Sequence, residues 1–299
     1  MKIYIKLLII LKKPNKILLA FICFLLYNSI RTKGGYNLKV LIVGDVIGRT
    51  GLNKLREELN FILKEENITF CIVNGENSAN GKGIRMQEYN EILEIGADAI
   101  TMGNHIYYRK EMAEEYIKLP RLLIPANVTN LKGNGNIVVE KNGIKFGVIN
   151  VIGRAEMGEV FEKNTINPFL SVTEEIDKLK QNNVDYIFVD FHAEATAEKI
   201  AMGYFLDGKV TCIFGTHTHV QTADEIIFES GTAYITDIGM TGPMDSVIGL
   251  KKEVALKRFV DGKFAKYECS SNKSIFNAII LDIDENTKKV TNINRIFKR

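Results

Sequence analysis

The sequence predicts an α/β fold: two packed mixed β-sheets flanked by helices. Three observations point to it. Apolar, strand-like runs alternate with segments of helical spacing through the first half of the chain. Apolar runs separated by Asn-Gly or Ser-Gly then add hairpins in the second half. No internal repeat, low-complexity tract or linker divides residues 38–299. Strand–helix alternation builds parallel pairs and hairpins add antiparallel ones, so both sheets are mixed and pack face to face with helices outside.

Each element has its own signal. Residues 38–44 form a nearly continuous apolar run ending in Gly-Asp, a buried strand that leads into a loop. Residues 52–66 carry Leu55, Leu59, Ile62 and Leu63 on one helical face. Residues 70–74 read as a second buried strand. A helix over 86–95 is stopped by Gly96, and a third strand covers 97–102. A short helix over 110–118 is ended by Pro120, and a fourth short strand covers 122–126. Asn142-Gly143 joins 136–140 and 144–151 as a hairpin. Helices over 171–180 and 196–206 bracket a strand at 185–191, and a further strand covers 210–214. Hairpins at 225–229/232–236 and 274–283/289–296 complete the chain.

Composition is ordinary for a globular protein, with 46% apolar and 25% charged residues. The net charge of +3 is accounted for by the first 37 residues, which contain basic side chains and no acid, so it does not argue for a nucleic-acid surface. No basic-aromatic stripe of the kind that reads RNA is present. Cys23, Cys71, Cys212 and Cys269 are scattered with no C-x-x-C, which argues against a disulfide framework or thiolate zinc site and fits a reducing, cytoplasmic compartment. Residues 1–37 stand apart. Residues 17–30 form an uncharged run of 14, short of the ~20 apolar residues that a spanning helix needs. A misassigned start, a short membrane anchor and a cleaved signal are the readings for this extension, and any membrane contact is confined to it. Residues 38–299 are read as one domain.

The histidines carry the chemistry. The chain has four. His105, His192, His217 and His219 each follow an apolar, strand-like run, as do Asp45, Glu76 and Asn104. A lone His near a strand end is usually a satisfied polar group. Four in equivalent positions, with acids and amides placed likewise, point to a shared metal centre, because neutral imidazole is the commonest protein ligand for transition metals. Taken alone, Asp45 reads equally as a helix cap, and the composition around Glu76 and Asn77 by itself predicts a polar turn, against which stands the position of an acid at a second strand end. The sequence lacks G-x-G-x-x-G, G-x-S-x-G and H-E-x-x-H, which removes the Rossmann, serine-hydrolase and zincin readings. Asp190 and Glu194, flanking His192, are candidates for orienting groups behind the ligands.

In order, GDVIGRTG (44–51), NGENSANGKGI (74–84), GNH (103–105), DFHAEAT (190–196) and GTHTHVQTAD (215–224) resemble the calcineurin-like metallophosphoesterase superfamily, and more closely its YmdB-type branch. The resemblance spans nearly all of the chain after the extension. Ile47 stands where the wider superfamily carries a His, and Glu76 where it carries an Asp, as in that branch. The resemblance implies a four-layer α/β/β/α sandwich and two metal ions, iron or manganese. It places Asp45, Glu76, Asn77 and His219 on one metal and Glu76, Asn104, His192 and His217 on the other, with Glu76 bridging. It makes His105 the general acid in phosphodiester hydrolysis by a metal-activated hydroxide. It points to 2′,3′-cyclic nucleoside monophosphates as substrates.

Lys82, Arg85, Arg109 and Arg154 are candidate phosphate neighbours. A phosphomonoesterase on the same centre, or a regulatory, RNA-metabolism-linked metalloprotein with low turnover, are the competing functions. Such families often form homo-oligomers, although no stripe in the sequence marks an interface.

Overall fold

The computed structural model describes residues 37–299. Strands are numbered in chain order. One sheet has eight strands, ordered β2 (Asp45–Val46), β12 (Met240–Pro243), β13 (Ser274–Asp284), β1 (Asn37–Val43), β3 (Phe70–Asn74), β4 (Ala99–Thr101) and β5 (Leu122–Leu123), with β14 (Val290–Lys298) also paired to β13. The other has six, ordered β10 (Ile226–Ile227), β11 (Ala233–Ile235), β9 (Cys212–Thr216), β8 (Tyr186–His192), β7 (Ile144–Ile152) and β6 (Asn136–Lys141). In the first sheet β1, β3, β4 and β5 run parallel. In the second β7, β8, β9 and β11 do so. Antiparallel partners flank both sets, as the hairpin signals require.

Alternation along each strand decides which layer a side chain enters. Val40, Ile42, Phe70 and Ile72 of the first sheet meet Phe146, Val148, Phe188 and Phe214 of the second in one buried cluster. Phe70 and Phe146 stack across this interface with centroids 4.3 Å apart and planes 4° from parallel. The intervening Leu41, Val43, Cys71 and Val73 face outward, onto Leu52, Leu55, Leu59 and Ile62 of α1 (Gly48–Glu65) and onto Ile92 and Ile95 of α2 (Met86–Ile95). On the far side Val151, Val189 and Phe191 pack against α4 (Pro168–Gln181) and α5 (Thr196–Leu206). Helix, sheet, sheet and helix make four layers.

Several elements differ from expectation. Helix α1 starts at Gly48, four residues before the apolar stripe begins. A Cβ on Gly51 would lie 2.4 Å from the Thr241 carbonyl oxygen, so the first turn is pressed onto β12 through a residue with no side chain. Residues 110–118 form two separate 3₁₀ turns, not a helix. Short helices depend on tertiary packing, and here Tyr116 is buried with its hydroxyl donating to the Ile106 carbonyl at 3.0 Å. Helix α4 begins at Pro168, with Asn167 accepting from the Phe169 amide at 2.9 Å, an Asn-Pro start the apolar spacing did not register. The short strands β2 and β12, α3 (Glu159–Asn164) and α6 (Lys252–Phe259) carried too little apolar periodicity to be expected. Among the described residues no helix is long and apolar enough to cross a membrane. The apolar run at 17–30 lies outside them.

If the Phe70–Phe146 stack anchors the two sheets, Phe70→Ala should lower unfolding free energy by about 3–5 kcal/mol, the usual result of emptying an aromatic site in a core. Equilibrium denaturation of both proteins measures this. A loss below about 1 kcal/mol would show that the sheets repack without it.

Candidate metal centre

The expected site residues converge at one end of both sheets, just past the C-terminal ends of parallel strands. Asp45 follows β1, Glu76 and Asn77 follow β3, Asn104 and His105 follow β4, His192 ends β8, and His217 and His219 follow β9. Ligand sites of open α/β sheets collect at these ends because every loop there emerges from the same side. Asp45 does not cap α1. The residue before that helix is Ile47, with no side-chain cap, and the Asp45 carboxylate is fully buried in the cluster.

The donor atoms fall into two groups that share one residue. Glu76, His192 and His217 bring donor atoms within 4.8 Å of one another, and so do Asp45, Glu76 and His219. His192 Nε2 lies 3.3 Å from Glu76 Oε1, 2.8 Å from Asn104 Oδ1 and 3.0 Å from His217 Nδ1. His219 Nε2 lies 3.8 Å from Asp45 Oδ1 and 3.1 Å from Asn77 Nδ2. Asn77 Nδ2 donates to Glu76 Oε1 at 3.0 Å, and Asn77 Oδ1 lies 2.5 Å from His105 Nδ1. The His105 amide donates to Glu76 Oε2 at 3.2 Å. Close packing of the loops explains a motif glycine: a Cβ on Gly103 would stand 2.3 Å from both Glu76 Oε2 and the His192 ring.

Oxygen acceptors behind the imidazoles decide which nitrogen faces inward. His219 Nδ1 donates to the Ile248 carbonyl at 3.0 Å. His217 Nε2 is 3.0 Å from Glu194 Oε2. His192 Nδ1 is 2.8 Å from Thr216 Oγ1, whose hydroxyl donates to Asp190 Oδ1 at 2.7 Å. In each case the outer nitrogen holds the proton and the inner one presents a lone pair, the arrangement that orients metal-ligating histidines. Asp190 and Glu194 thus both stand behind the cluster, Asp190 acting through Thr216.

The turn that carries His217 and His219 is held in unusual backbone geometry, with φ of 103° and 65° at the two residues. Its brace is Asp237, fully buried. Asp237 Oδ2 accepts from the Thr218 amide at 3.0 Å and hydroxyl at 2.8 Å, and from buried Lys199 Nζ at 2.8 Å. Nothing in the sequence marks Lys199 for this role, since a Lys in a helix is ordinarily solvated. Breaking one side of such a buried pair costs about 3–5 kcal/mol.

Burial dominates the electrostatics. It raises Asp45 from an ordinary 3.8 to about 8, with the Asp237 charge adding to the effect. It raises Glu76 well above the usual carboxylate range, and Asp45 adds repulsion. It lowers His217 to about 4 and His105 to about 3, and holds His192 and His219 below their ordinary value. Two destabilised carboxylates and converging imidazole lone pairs are a donor set suited to cations. Mixed nitrogen and oxygen donors fit a transition metal and do not fix which one.

A cavity of about 420 Å³ opens over the cluster, lined on its floor by Glu76, Asn77, Asn104, His105, His217 and His219. Of the four cations expected near phosphate, only Lys82 lines it. Arg85 pairs with Glu88, Arg109 donates to the Ala79 and Lys82 carbonyls, and Arg154 donates to the Glu162 carbonyl. None of these three lines this cavity, a placement that sequence spacing could not reveal. Arg258, which no motif singled out, lines the cavity instead.

Residues 41–296 match the model of the YmdB-like protein family. The chain belongs to that family. It is 41% identical over 261 residues to the 2′,3′-cyclic-nucleotide 2′-phosphodiesterase of Bacillus subtilis, covering 87% of this chain and 97% of the relative. A putative phosphatase/phosphodiesterase of Mycoplasma pneumoniae is 38% identical, over 85% of this chain and 90% of its own. A crystal structure of a phosphatase from Mycoplasma pneumoniae superimposes with a TM-score of 0.81 at 37% identity, over 88% of this chain and 94% of that one. YmdB-like relatives of this kind are phosphoesterases, consistent with a buried, cation-accepting cluster under an open cavity.

The raised carboxyls make the metal-free protein pH-sensitive. A carboxyl with a folded pKa of about 8 against 3.8 unfolded contributes stability that is complete below 3.8 and lost as pH rises through about 8. Above the range in which the unfolded histidines titrate, between pH 7 and 8.5, melting of metal-free protein should therefore shift to lower temperature, and Asp45→Asn should flatten that slope. Manganese affinity should rise over the same interval, because binding displaces the protons. Calorimetric titration in buffers of different ionisation enthalpy counts them. Zero proton release near pH 7 would contradict the raised carboxyls.

Proposed function

We propose that this family member is a dinuclear-metal phosphodiesterase that opens 2′,3′-cyclic nucleoside monophosphates. Residues 38–299, with Asn37 at the head of β1, form its catalytic domain. The observation that carries this reading is Glu76, common to both donor groups on the floor of the cavity. The substrate is taken from the Bacillus subtilis relative, whose identity extends over 97% of its length. The free thiols of Cys71, Cys212 and Cys269 fit the reducing cytoplasm as its place of action.

Asp45, Asn77 and His219 would hold one ion, and Asn104, His192 and His217 the other, with Glu76 between them. Iron or manganese ions there would polarise the phosphoryl oxygens and lower the pKa of water toward neutrality. The chain supplies the remainder. Hydrolysis adds water across one P–O bond of the cyclic phosphate, and the departing ribose oxygen needs a proton. His105 stands at the cavity wall to give it, an effect typically worth ~10²–10⁴-fold. Asn77 Oδ1 lies against His105 Nδ1 and accepts its proton, so the ring in its imidazolium form carries a second proton on Nε2, gives that one to the departing oxygen and is left a neutral imidazole. Lys82 neutralises charge on the phosphate from the rim.

Two measurements test this. His105→Ala should lower kcat on 2′,3′-cyclic AMP by about 10²–10⁴-fold while metal content by elemental analysis is unchanged. Loss of metal in that variant would move His105 into the ligand set. Hydrolysis of bis-p-nitrophenyl phosphate should exceed that of p-nitrophenyl phosphate, and the reverse order would establish a monoesterase.

A further inference from the structure

A second groove of about 380 Å³ opens beside the catalytic cavity and shares Lys82, Arg258 and Tyr267 with it. Its chemistry differs. Lys82, Arg109, Arg258 and Lys266 line it, and no acid does. None of the four makes an ion pair among the described residues. Both arginines spend donors on backbone carbonyls, which fixes the guanidinium groups without neutralising them. Apart from Asn80, the rest of the wall is aromatic. Lys82 Nζ lies 4.4 Å from the Tyr108 ring centre and 5.0 Å from that of Tyr267. Phe264, a residue 91% exposed, lines the same groove. Tyr108 also stands edge-on to His105 at 4.9 Å, so the groove begins where the acid ends.

Unneutralised cations beside exposed rings are how proteins hold single-stranded nucleic acid: backbone phosphate on the cations, bases on the rings. A cyclic mononucleotide has one phosphate, and the catalytic centre with Lys82 takes it. It has nothing to offer Arg109 and Lys266, which line this groove and not the catalytic cavity. We propose that this groove binds the nucleotide preceding a 3′-terminal cyclic phosphate, so that the enzyme acts on the ends of short RNA chains in preference to free mononucleotides. The inference rests on the phosphodiesterase reading for its chemistry and on the groove for its length preference. The four cations and three rings come from residues 82, 108–109, 258 and 264–267. No stretch of sequence shows the stripe that the fold assembles.

Turnover and binding test it separately. The metal-loaded enzyme should have a kcat/KM at least tenfold higher on an adenylyl dinucleotide ending in 2′,3′-cyclic phosphate than on 2′,3′-cyclic AMP. Lys266→Ala with Phe264→Ala should reduce that ratio about tenfold, as expected for one lost phosphate contact and one lost stacked base. Metal-free protein should bind a fluorescein-labelled oligoadenylate, measured by anisotropy. Affinity should fall with salt, and the double variant should weaken it. Equal kcat/KM on both substrates, a ratio that the double variant leaves unchanged, or equal displacement of the oligoadenylate by oligoglutamate would each overturn the proposal. If neither cyclic phosphate is hydrolysed while the oligoadenylate binds and the variant weakens it, the phosphodiesterase reading fails and the groove assignment stands.

Discussion

Two carboxylates buried side by side set the terms for the rest of this molecule. Asp45 and Glu76 are fully buried, and the side-chain nitrogens around them, those of Asn77, His105, His192 and His219, are neutral. Ionised, the pair repel each other in a poorly solvated place. Protonated, they are poor ligands. Cations resolve the conflict, and the imidazoles are already turned to help, each with its outer nitrogen bonded to oxygen. Such a cluster is costly to assemble without its ions. The scaffold must therefore be stiff enough to hold it.

That stiffness comes from two kinds of contact. The facing sheets meet through an apolar layer in which Phe70 and Phe146 stack, and this fixes one set of strand ends against the other. Glu76 and Asn104 come from one sheet and His192 and His217 from the other, so the centre straddles the interface. Locally, Asp237 and Lys199 clamp the strained turn that aims His217 and His219. Asp190 holds Thr216 and through it the His192 ring. These braces are buried and satisfied, which lets the side chains in front of them remain unsatisfied until ions arrive.

The rim obeys a different rule. Around the carboxylates the protein removes water and charge compensation. Beyond His105 it leaves Lys266 and Phe264 to solvent and holds Lys82 half-buried between Tyr108 and Tyr267. Bonds to carbonyls fix Arg109 and Arg258 in place and keep their charge available. The floor is suited to cations, and the rim to the anionic and aromatic substrate brought to them.

Much of this was legible in the chain itself. Alternating apolar runs and Asn-Gly turns state strands, helices and hairpins, because those depend on neighbours in sequence. Acid, amide and imidazole placed after five separate strands mark a shared centre in the sequence itself. Tertiary packing decided what local patterns cannot carry. It started α1 at Gly48 by pressing Gly51 onto β12. It tied Arg85, Arg109 and Arg154 into structural bonds and away from the cavity. It made Lys199 a buried brace and gathered four cations and three rings from distant segments into one groove. Periodicity records which face a residue turns inward. Which other face it meets there is set by long-range sheet pairing, and no spacing along the chain encodes that.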